Sequence, residues 1–331
     1  QPLCAGCGAK LGGTALAPAL ARLPAPERHD VASRPGDDAA ILRHGGGWQV
    51  LTTDHLRAFT EDPALFARIA AVHALGDVWA MGAAPQAATA TVILPRMAPP
   101  LAEATLAELL HPAAEVFRAE GAELVGGHTT FGDELTLGFS VTGLCDTAPI
   151  ALEGAVPDDA LILTKPIGSG TILAGEMQLR AAGRDVAACH AAMAEPQGGL
   201  ARLMTRHAHA MTDVTGFGLA GHLMNICLAS AVGARLSVEA IPVFPGAEAL
   251  AAAGVHSTLY PDNRAAVADL IHGLRDTPRE RLLFDPQTSG GLLAAVPGAE
   301  ADALLAALQE AGATAARIGS LVDAPPGITL G

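Results

Sequence analysis

The stretch that decides the fold is MTDVTGFGLAGH, at residues 211–222. An apolar lead-in ends at Asp213, a glycine-rich turn follows, and an apolar run from Leu219 to Leu228 opens a helix. A carboxylate at such a turn can hold a divalent cation, and the free N–H groups at a helix start can face phosphate oxygens. The alternative is that Asp213 and Thr215 only cap the helix, which is the better interpretation of this motif taken alone.

Length, composition and charge narrow the class of protein. The 331 residues are 50% hydrophobic, enough for a large core, and their number indicates about two domains. A net charge of −14 with only 3% aromatic residues argues against a nucleic-acid partner, which would need a basic face or stacking platforms. Apolar runs stay below the ~18 residues of a membrane helix, and a signal peptide is not visible. Together with five scattered cysteines, this predicts a reduced, cytoplasmic protein without a membrane partner.

The N-terminal segment, residues 1–12, combines small residues with two cysteines and a lysine, and we expect it to be mobile. Lys10 is one of only two lysines among the 20 Lys and Arg residues, which hints that a compact ammonium is needed there. An ammonium so close to Cys7 lowers the pKa of the thiol and favours the nucleophilic thiolate. Cys4 and Cys7 form a single C-x-x-C pair, which is too little for a structural zinc site. The open alternative is a flexible N-terminus whose thiol has no function.

Acidic residues recur in two neighbouring strand–turn units of the first half. Asp37 and Asp38 follow the turn at residues 34–36, and Asp54 ends a strand predicted from Trp48 to Thr53. Carboxylates beside turns at strand ends are common ligand positions. Ordinary turn chemistry remains the alternative, because Asp favours turns in any protein.

A carboxylate in an apolar helix is the least ordinary acidic residue of the chain. Asp77 lies within a helix predicted for residues 63–81, where a charge is costly unless it is paired, protonated or bound to a metal. Further along, a strand is predicted to run into Gly126-Gly127, which would let the backbone approach a ligand closely. His128 follows and is either a ligand or a satisfied loop histidine.

Strands and helices alternate along the chain, which predicts an α/β protein of the α+β type with mixed sheets covered by helices. We expect a mobile N-terminal segment at residues 1–12, an N-terminal α/β domain at 13–150 and a C-terminal α/β domain at 157–331. The glycine-rich stretch at 164–171 lacks the Gly-Lys-Ser/Thr ending of a P-loop and is interpreted as a turn first and a ligand loop second.

Taken together, the motifs resemble those of selenophosphate synthetase (selenide, water dikinase) over nearly the whole chain. Each motif is weak alone, but their order and spacing are specific: CGAK at 7–10, DDAA at 37–40, TTD at 52–54, GDVWAMG at 76–82, GGH at 126–128, TKP at 164–166, DVTGFG at 213–218 and DPQTSGG at 285–291. The resemblance implies that ATP, selenide and water give selenophosphate, AMP and phosphate with Mg²⁺. It also implies the two-domain fold of aminoimidazole ribonucleotide synthetase and a homodimer whose ATP sites draw on both subunits.

The resemblance further assigns roles to single residues of this chain. Cys7 matches the family's catalytic cysteine or selenocysteine, and Lys10 matches its essential lysine. The residues that match metal-binding carboxylates are Asp38, Asp77 and Asp213. The residues that match ATP-contacting segments are Lys10, Pro35, Gly36, Asp37, Asp54, Asp77, Gly127, His128 and Thr129.

The chain departs from the family pattern near its start. Ala9 stands where some members carry a second cysteine. Many members have a longer glycine-rich segment that contains a histidine, and this chain has only residues 3–6 at that place. Some members are fused behind a flavin-dependent oxidoreductase domain, and a chain beginning with Gln1 is compatible with such an origin. Two alternatives stay open. One is another ATP-using enzyme of the same superfamily, such as a thiamine-phosphate kinase or a carbamoyl-dehydrating maturation protein. The other is a non-catalytic, thiol-bearing module that binds nucleotide or metal.

Overall fold

A computed structural model describes residues 4–11, 16, 20, 22–23, 27–32 and 37–331 of the chain. Pro35 and Gly36, two of the residues that match ATP-contacting segments, lie outside the described residues. Two mixed sheets, one from each half of the chain, account for the strands that the structure describes, and helices cover them.

The first sheet has five strands in the order β1-β2-β5-β3-β4, all antiparallel to their neighbours except the parallel pair β3 and β4. Two helices, α1 and α2, pack against it and against each other. The bounds of these elements are β1 Ala40–His44, β2 Gly47–Arg57, α1 Pro63–Ala80, β3 Ala84–Pro95, α2 Pro99–Ala119, β4 Glu123–Gly132 and β5 Thr136–Cys145.

Helix α1 joins the two halves of the molecule. It begins where Asp62 accepts hydrogen bonds from the N–H groups of Ala64 and Leu65, with Pro63 at its first turn. Its side chains are buried almost all round, because it contacts the first sheet and α2 on one side and elements of the second half on the other. Two of its polar residues, His73 and Asp77, lie at the junction of the two halves.

The second sheet has seven strands in the order β7-β10-β6-β11-β8-β12-β9, antiparallel except where β12 pairs with β8 and β9. Strands β6, β7 and β10 are buried along their whole length, as expected for a sheet covered on both faces. The strand bounds are β6 Ala160–Leu163, β7 Ala210–Asp213, β8 Gly233–Leu236, β9 Ile271–His272, β10 Leu292–Val296, β11 Ala316–Val322 and β12 Gly327–Leu330. The helix bounds are α3 Ser169–Met177, α4 Gly183–Ala194, α5 Gly198–Met204, α6 Gly218–Ser230, α7 Ala247–Ala252, α8 Tyr260–Val267, α9 Pro278–Arg281 and α10 Ala301–Glu310.

One local expectation from the sequence is wrong, because Asp54 does not end a strand and β2 continues through it to Arg57. The strand predicted to run into Gly126-Gly127 is present as β4, which continues through both glycines to Gly132 because it pairs with β3. In both places an inter-strand ladder overrides the local preference for a turn.

Strand β7 ends at Asp213, which pairs with Leu292 of β10, and the quoted glycine-rich turn then leads into α6. Helix α1 contacts β7 closely at Gly76, where a Cβ atom would lie only 2.5 Å from Asp213 Oδ2. The absence of a side chain at Gly76 thus lets Asp77 and Asp213 approach each other across the junction. Among the described residues, no helix combines the length and apolar character that crossing a bilayer requires.

Replacing Gly76 by Ala should push α1 away from β7. We expect Gly76→Ala to lower the free energy of unfolding by about 1–2 kcal/mol, because overpacking a tight contact outweighs the gain in helix propensity. The matched control is Gly183→Ala, where a Cβ atom would meet no atom of the described chain within 4 Å. Chemical denaturation measures both variants, and equal stability of the two would contradict the packing argument.

Candidate active site

A cavity of about 220 Å³ opens between the two sheets, beside the middle of β2, the C-terminal end of β7 and the last turn of α1. Most of its lining is polar, and the charged members include one ammonium and five carboxylates. The lining residues are Lys10, Asp37, Asp38, Thr52, Thr53, Asp54, Asp77, Leu152, Thr212, Asp213, Thr215, Phe217, His222 and Asn225. Small-molecule sites usually enclose ~300–1,000 Å³, so this cavity is too small for a whole ligand of that size and fits a small charged group.

Three of these carboxylates repel one another. Burial, followed by the charge of Asp38, raises the pKa of Asp213 to about 8. Burial and then Asp77 raise the pKa of Asp38 well above its usual range, and burial and then Asp213 do the same to Asp77. Asp38 Oδ2 is buried and has no hydrogen-bond partner within the described part of the chain. Such a set of oxygen donors suits a hard divalent cation, whose charge would remove the repulsion.

A short relay of hydrogen bonds holds Asp38. His222 Nε2 accepts from the N–H of Thr215 at 3.1 Å, and its Nδ1 lies 3.3 Å from Thr212 Oγ1. Thr212 Oγ1 in turn donates to Asp38 Oδ1 at 2.9 Å. Burial, and after it the Lys10 charge, lowers the pKa of His222 to about 3, so the ring is neutral. On the far side of the cavity, the hydroxyl of Thr52 donates to Asp77 Oδ2.

Potential metal-ligating atoms of Asp38, Asp213 and His222 all lie within 4.8 Å of one another. Both ring nitrogens of His222 already face protein groups, so this histidine supports the site rather than offering a free ligand atom. Asp77 borders the same cavity and acts electrostatically on both other carboxylates. The structure thus brings together the three predicted metal ligands, Asp38, Asp77 and Asp213.

A second polar cluster adjoins the first through Asp54. One oxygen of this carboxylate, Oδ2, lies 2.8 Å from Lys10 Nζ and 2.8 Å from His73 Nε2. His73 Nε2 also lies 3.4 Å from Cys7 Sγ, and neither Cys7 nor His73 has appreciable exposed surface. Although burial opposes ionisation, His73 and Lys10 hold the pKa of Asp54 well below its usual range. Burial disfavours the Lys10 ammonium as well, but Cys7 and Asp54 raise the pKa of Lys10 above its usual value.

The N-terminal segment that carries Cys7 and Lys10 is docked across the junction. Residues Gly6–Ala9 form a single 3₁₀ turn, and the N–H of Cys7 donates to Thr288 Oγ1 at 3.1 Å. Thr258 Oγ1 accepts from the N–H of Cys4 at 3.2 Å and donates to the Gly8 carbonyl at 3.0 Å. Lys10 reaches Asp54 on the other half, so the segment binds both halves at once. The mobility expected for residues 1–12 stays a prediction.

The remaining predicted residues lie in three places. Asp37 lines the cavity beside Asp38. Gly127, His128 and Thr129 lie on β4, an outer strand among those described, where they are exposed and away from the cavity lining. Pro35 and Gly36 lie outside the described residues.

Sequence reasoning missed His73, Thr212 and His222. A histidine within an apolar helix, four residues before Asp77, is the signal that could have found His73, since both polar groups share one face. His222 is part of the quoted motif, but it supports Asp38 only through the contact with Thr212. That contact cannot be predicted from the sequence.

Two models of the AIR synthase related protein family match this chain. The N-terminal domain model covers residues 36–145 and the C-terminal domain model covers residues 156–330. The chain is 38% identical to a selenide, water dikinase of Nitratidesulfovibrio vulgaris strain Miyazaki F, over 98% of this chain and 95% of the relative. It is 39% identical to a selenide, water dikinase of Yersinia pestis, over 87% and 83%.

Solved structures share the fold at lower identity. A thiamine-monophosphate kinase of Stenotrophomonas maltophilia K279a superposes with a TM-score of 0.66 at 22% identity, covering 92% of each chain. A hydrogenase maturation protein in complex with ATP gives a TM-score of 0.61 at 21% identity, covering 95% of this chain and 86% of that one. These similarities confirm the predicted two-domain fold class.

The repulsion among the carboxylates predicts a pH dependence of stability. Because folding raises the pKa of Asp213 from 3.8 to about 8, the folded state binds its proton more tightly, and stability is lost as pH rises from about 4 to 8. In chelator, we expect Asp213→Asn to be more stable than the wild type at pH 8 by roughly 1–3 kcal/mol, with a smaller difference at pH 5.

Denaturation with and without Mg²⁺ measures this difference. Added Mg²⁺ should stabilise the wild type at pH 8 and leave Asp213→Asn little changed. A variant that is less stable than the wild type at pH 8 in chelator would show that the carboxylates do not repel one another.

Proposed function

We propose that this chain, which belongs to the selenide, water dikinase family of AIR synthase related proteins, makes selenophosphate and AMP and phosphate from ATP, selenide and water. The observation that carries the proposal is the match to a selenide, water dikinase, which extends over nearly the full length of this chain and of the relative. The site adds physical support, because an ammonium and three mutually repelling carboxylates line the cavity, and the buried thiol of Cys7 lies beneath it, 3.4 Å from His73.

We propose that Asp38, Asp77 and Asp213 hold magnesium. The unpartnered Asp38 Oδ2 and the raised carboxyl pKa values support this, since a cation is the missing counter-charge. When bound, Mg²⁺ neutralises phosphate charge, which is most of what phosphoryl transfer requires. The chain's own contribution is to hold the oxygens in place: Thr212 orients Asp38, and Thr52 orients Asp77.

Lys10 is proposed as the point charge for the departing γ-phosphate. Its Nζ pairs with Asp54 at the cavity wall, and one third of its side chain remains exposed, at 33%. The raised pKa keeps the ammonium charged at neutral pH, so it can stabilise charge that develops on a phosphoryl group. Cys7 is proposed as the second catalytic residue, which either receives selenium or excludes water when the segment closes.

We propose a homodimer with shared ATP sites, because it would explain how the predicted ATP contacts outside the cavity are made. The cavity is too small for a whole nucleotide, and Gly127, His128 and Thr129 lie outside it in one subunit. Strand β4 exposes Val125 and Phe131 at 65% and 57%, and apolar residues on an outer strand favour pairing with another chain. A second copy at β4 would bring these residues to the nucleotide.

The division of the chain is likewise a proposal. Residues 1–12 act as the catalytic segment, 13–150 as the domain that binds ATP and magnesium, and 157–331 as the C-terminal domain. The two matching domain models, at residues 36–145 and 156–330, support the division into the 13–150 and 157–331 domains. A cytoplasmic location is supported by the five cysteines, all of which are free thiols.

An anaerobic assay tests the reaction and the two catalytic roles together. Wild-type protein with ATP and selenide should release AMP, detected by chromatography, and selenophosphate, detected by ³¹P NMR. Cys7→Ser and Lys10→Ala should each lower selenophosphate formation by at least about 100-fold, the scale of losing an electrostatic or nucleophilic group.

The control for the thiol is Cys145→Ser, because Cys145 lies at the end of β5 and outside the cavity lining. ADP rather than AMP as product would favour a small-molecule kinase of the same superfamily. Nucleotide binding without turnover would favour the non-catalytic module.

Mixed dimers test the shared sites. A heterodimer of Lys10→Ala and His128→Ala subunits should keep one intact site of two and about half of the wild-type rate, because each variant damages a different half of a shared site. The control heterodimer, Lys10→Ala with Cys7→Ser, has a damaged residue from the same segment in both sites and should be inactive. Equal activity of the two heterodimers would contradict the sharing.

A further inference from the structure

The imidazole of His73 lies beneath the cavity, between the proposed catalytic thiol and the second half of the molecule. It has 2% exposed surface and belongs to α1, whereas Cys7 comes from the N-terminal segment and is completely buried. Three groups approach its ring nitrogens within hydrogen-bonding range: Cys7 Sγ at 3.4 Å, Asp54 Oδ2 at 2.8 Å and the N–H of Ser289 at 3.3 Å. Neither the resemblance nor the similar proteins assign a role to this residue.

The hydrogen positions on His73 follow from its partners. Asp54 is an ionised carboxylate that only accepts, so Nε2, which lies 2.8 Å from it, must carry a hydrogen. The N–H of Ser289 donates to Nδ1, which leaves the lone pair of the neutral ring there. Burial disfavours the imidazolium, while Asp54 and Cys7 favour it and raise the pKa of His73. In either protonation state Nε2 carries a hydrogen, so towards Cys7 the ring can only donate.

A sulfur atom that accepts this hydrogen bond is best matched by a thiolate. Lys10 adds a positive charge beside it, whereas Asp54 opposes the negative sulfur. Burial raises the pKa of Cys7, but His73 and Lys10 outweigh it, so the net shift is downward. The other charged groups near this cluster are Asp213, which feels the charge of His73, and Asp77, which feels that of Lys10.

The second half of the molecule fixes the ring through Ser289. This residue has a left-handed φ of 50°, its Oγ donates to the Met193 carbonyl at 2.6 Å, and its own carbonyl accepts from buried Lys165 at 3.3 Å. With its backbone held from both sides, the Ser289 N–H points at Nδ1 and directs Nε2 to Cys7 and Asp54. The tautomer is therefore set across the junction between the two halves.

We propose that His73 is a further catalytic residue, which shares its single Nε2–H between Asp54 Oδ2 and Cys7 Sγ and holds this sulfur as a thiolate in the folded protein. The inference rests on the proposed role of Cys7 in selenophosphate formation. The thiol proton leaves to bulk water when the segment docks, because Nε2 is already protonated and Nδ1 is occupied by Ser289. His73 is thus a hydrogen-bond donor to a preformed nucleophile and not a general base.

Titration of Cys7 tests the proposal without any assay of turnover. The protein is labelled with ¹³Cβ-cysteine in a Cys4→Ser background, and the NMR shift of Cys7 is followed from pH 4 to 10. Burial raises the pKa values of Cys145 and Cys227 to about 11 and that of Cys189 still further, so these thiols stay protonated over most of this range. With His73 present, the midpoint of Cys7 should lie below that of a free thiol.

Two variants separate the hydrogen bond from packing. His73→Leu removes the donor, and the midpoint of Cys7 should rise by one unit or more. His73→Gln restores an N–H near the position of Nε2, and the midpoint should return part of the way. In the selenophosphate assay, both variants should change kcat in the same order while KM for ATP stays within about twofold, because His73 does not line the cavity.

Three results would overturn the proposal. The first is an unchanged Cys7 midpoint in folded His73→Leu. The second is a midpoint in His73→Gln no lower than in His73→Leu. The third needs no variant that could misfold: ¹⁵N-histidine spectra of the wild type that show Nε2 of His73 without a hydrogen. A protein with the shifted midpoint but without selenophosphate formation would refute the proposed reaction instead, so the two failures are distinguishable.

Discussion

Electrostatic repulsion between Asp38, Asp77 and Asp213 is the constraint on which the rest of this structure depends. Each carboxylate comes from a different part of the chain, and the fold forces them together at the junction of two sheets. Gly76 permits the approach, since any side chain there would collide with Asp213. Hydroxyl groups of Thr52 and Thr212 then hold individual oxygens in place. The cation proposed for this site would supply the counter-charge that the three carboxylates lack.

Asp54 couples this carboxylate site to the thiol beneath it. A single oxygen receives both the Lys10 ammonium and the His73 ring, so the orientation of each depends on the other. The ammonium faces the cavity and the ring faces the sulfur. Any change in the charge of Asp54 therefore affects both Lys10, which is proposed to act on the phosphate, and His73, which contacts the sulfur of Cys7.

Much of this arrangement could be predicted from the sequence, and the failures have physical causes. Asp77 was recognisable because a charge within an apolar helix needs a reason, and the helix itself appears at Pro63–Ala80 against the 63–81 expected. The course of β4 through its two glycines could not be predicted, because the extended backbone there is imposed by the ladder with β3. His73 escaped notice because its partners are 66 residues before it and 216 residues after it in sequence. Contacts of that kind exist only once the chain has folded.

The complete burial of Cys7 has a consequence for the order of events during turnover. If Cys7 receives selenium, as one of its two proposed roles requires, its sulfur becomes accessible only when residues 4–10 break their hydrogen bonds to Thr258 and Thr288. Because Lys10 belongs to the same short segment, this release also separates the ammonium from Asp54. Under the proposed roles of Cys7 and Lys10, uptake of selenium and activation of ATP would therefore exclude each other in time. The N-terminal segment would then act as an interlock that limits ATP hydrolysis while the sulfur is accessible.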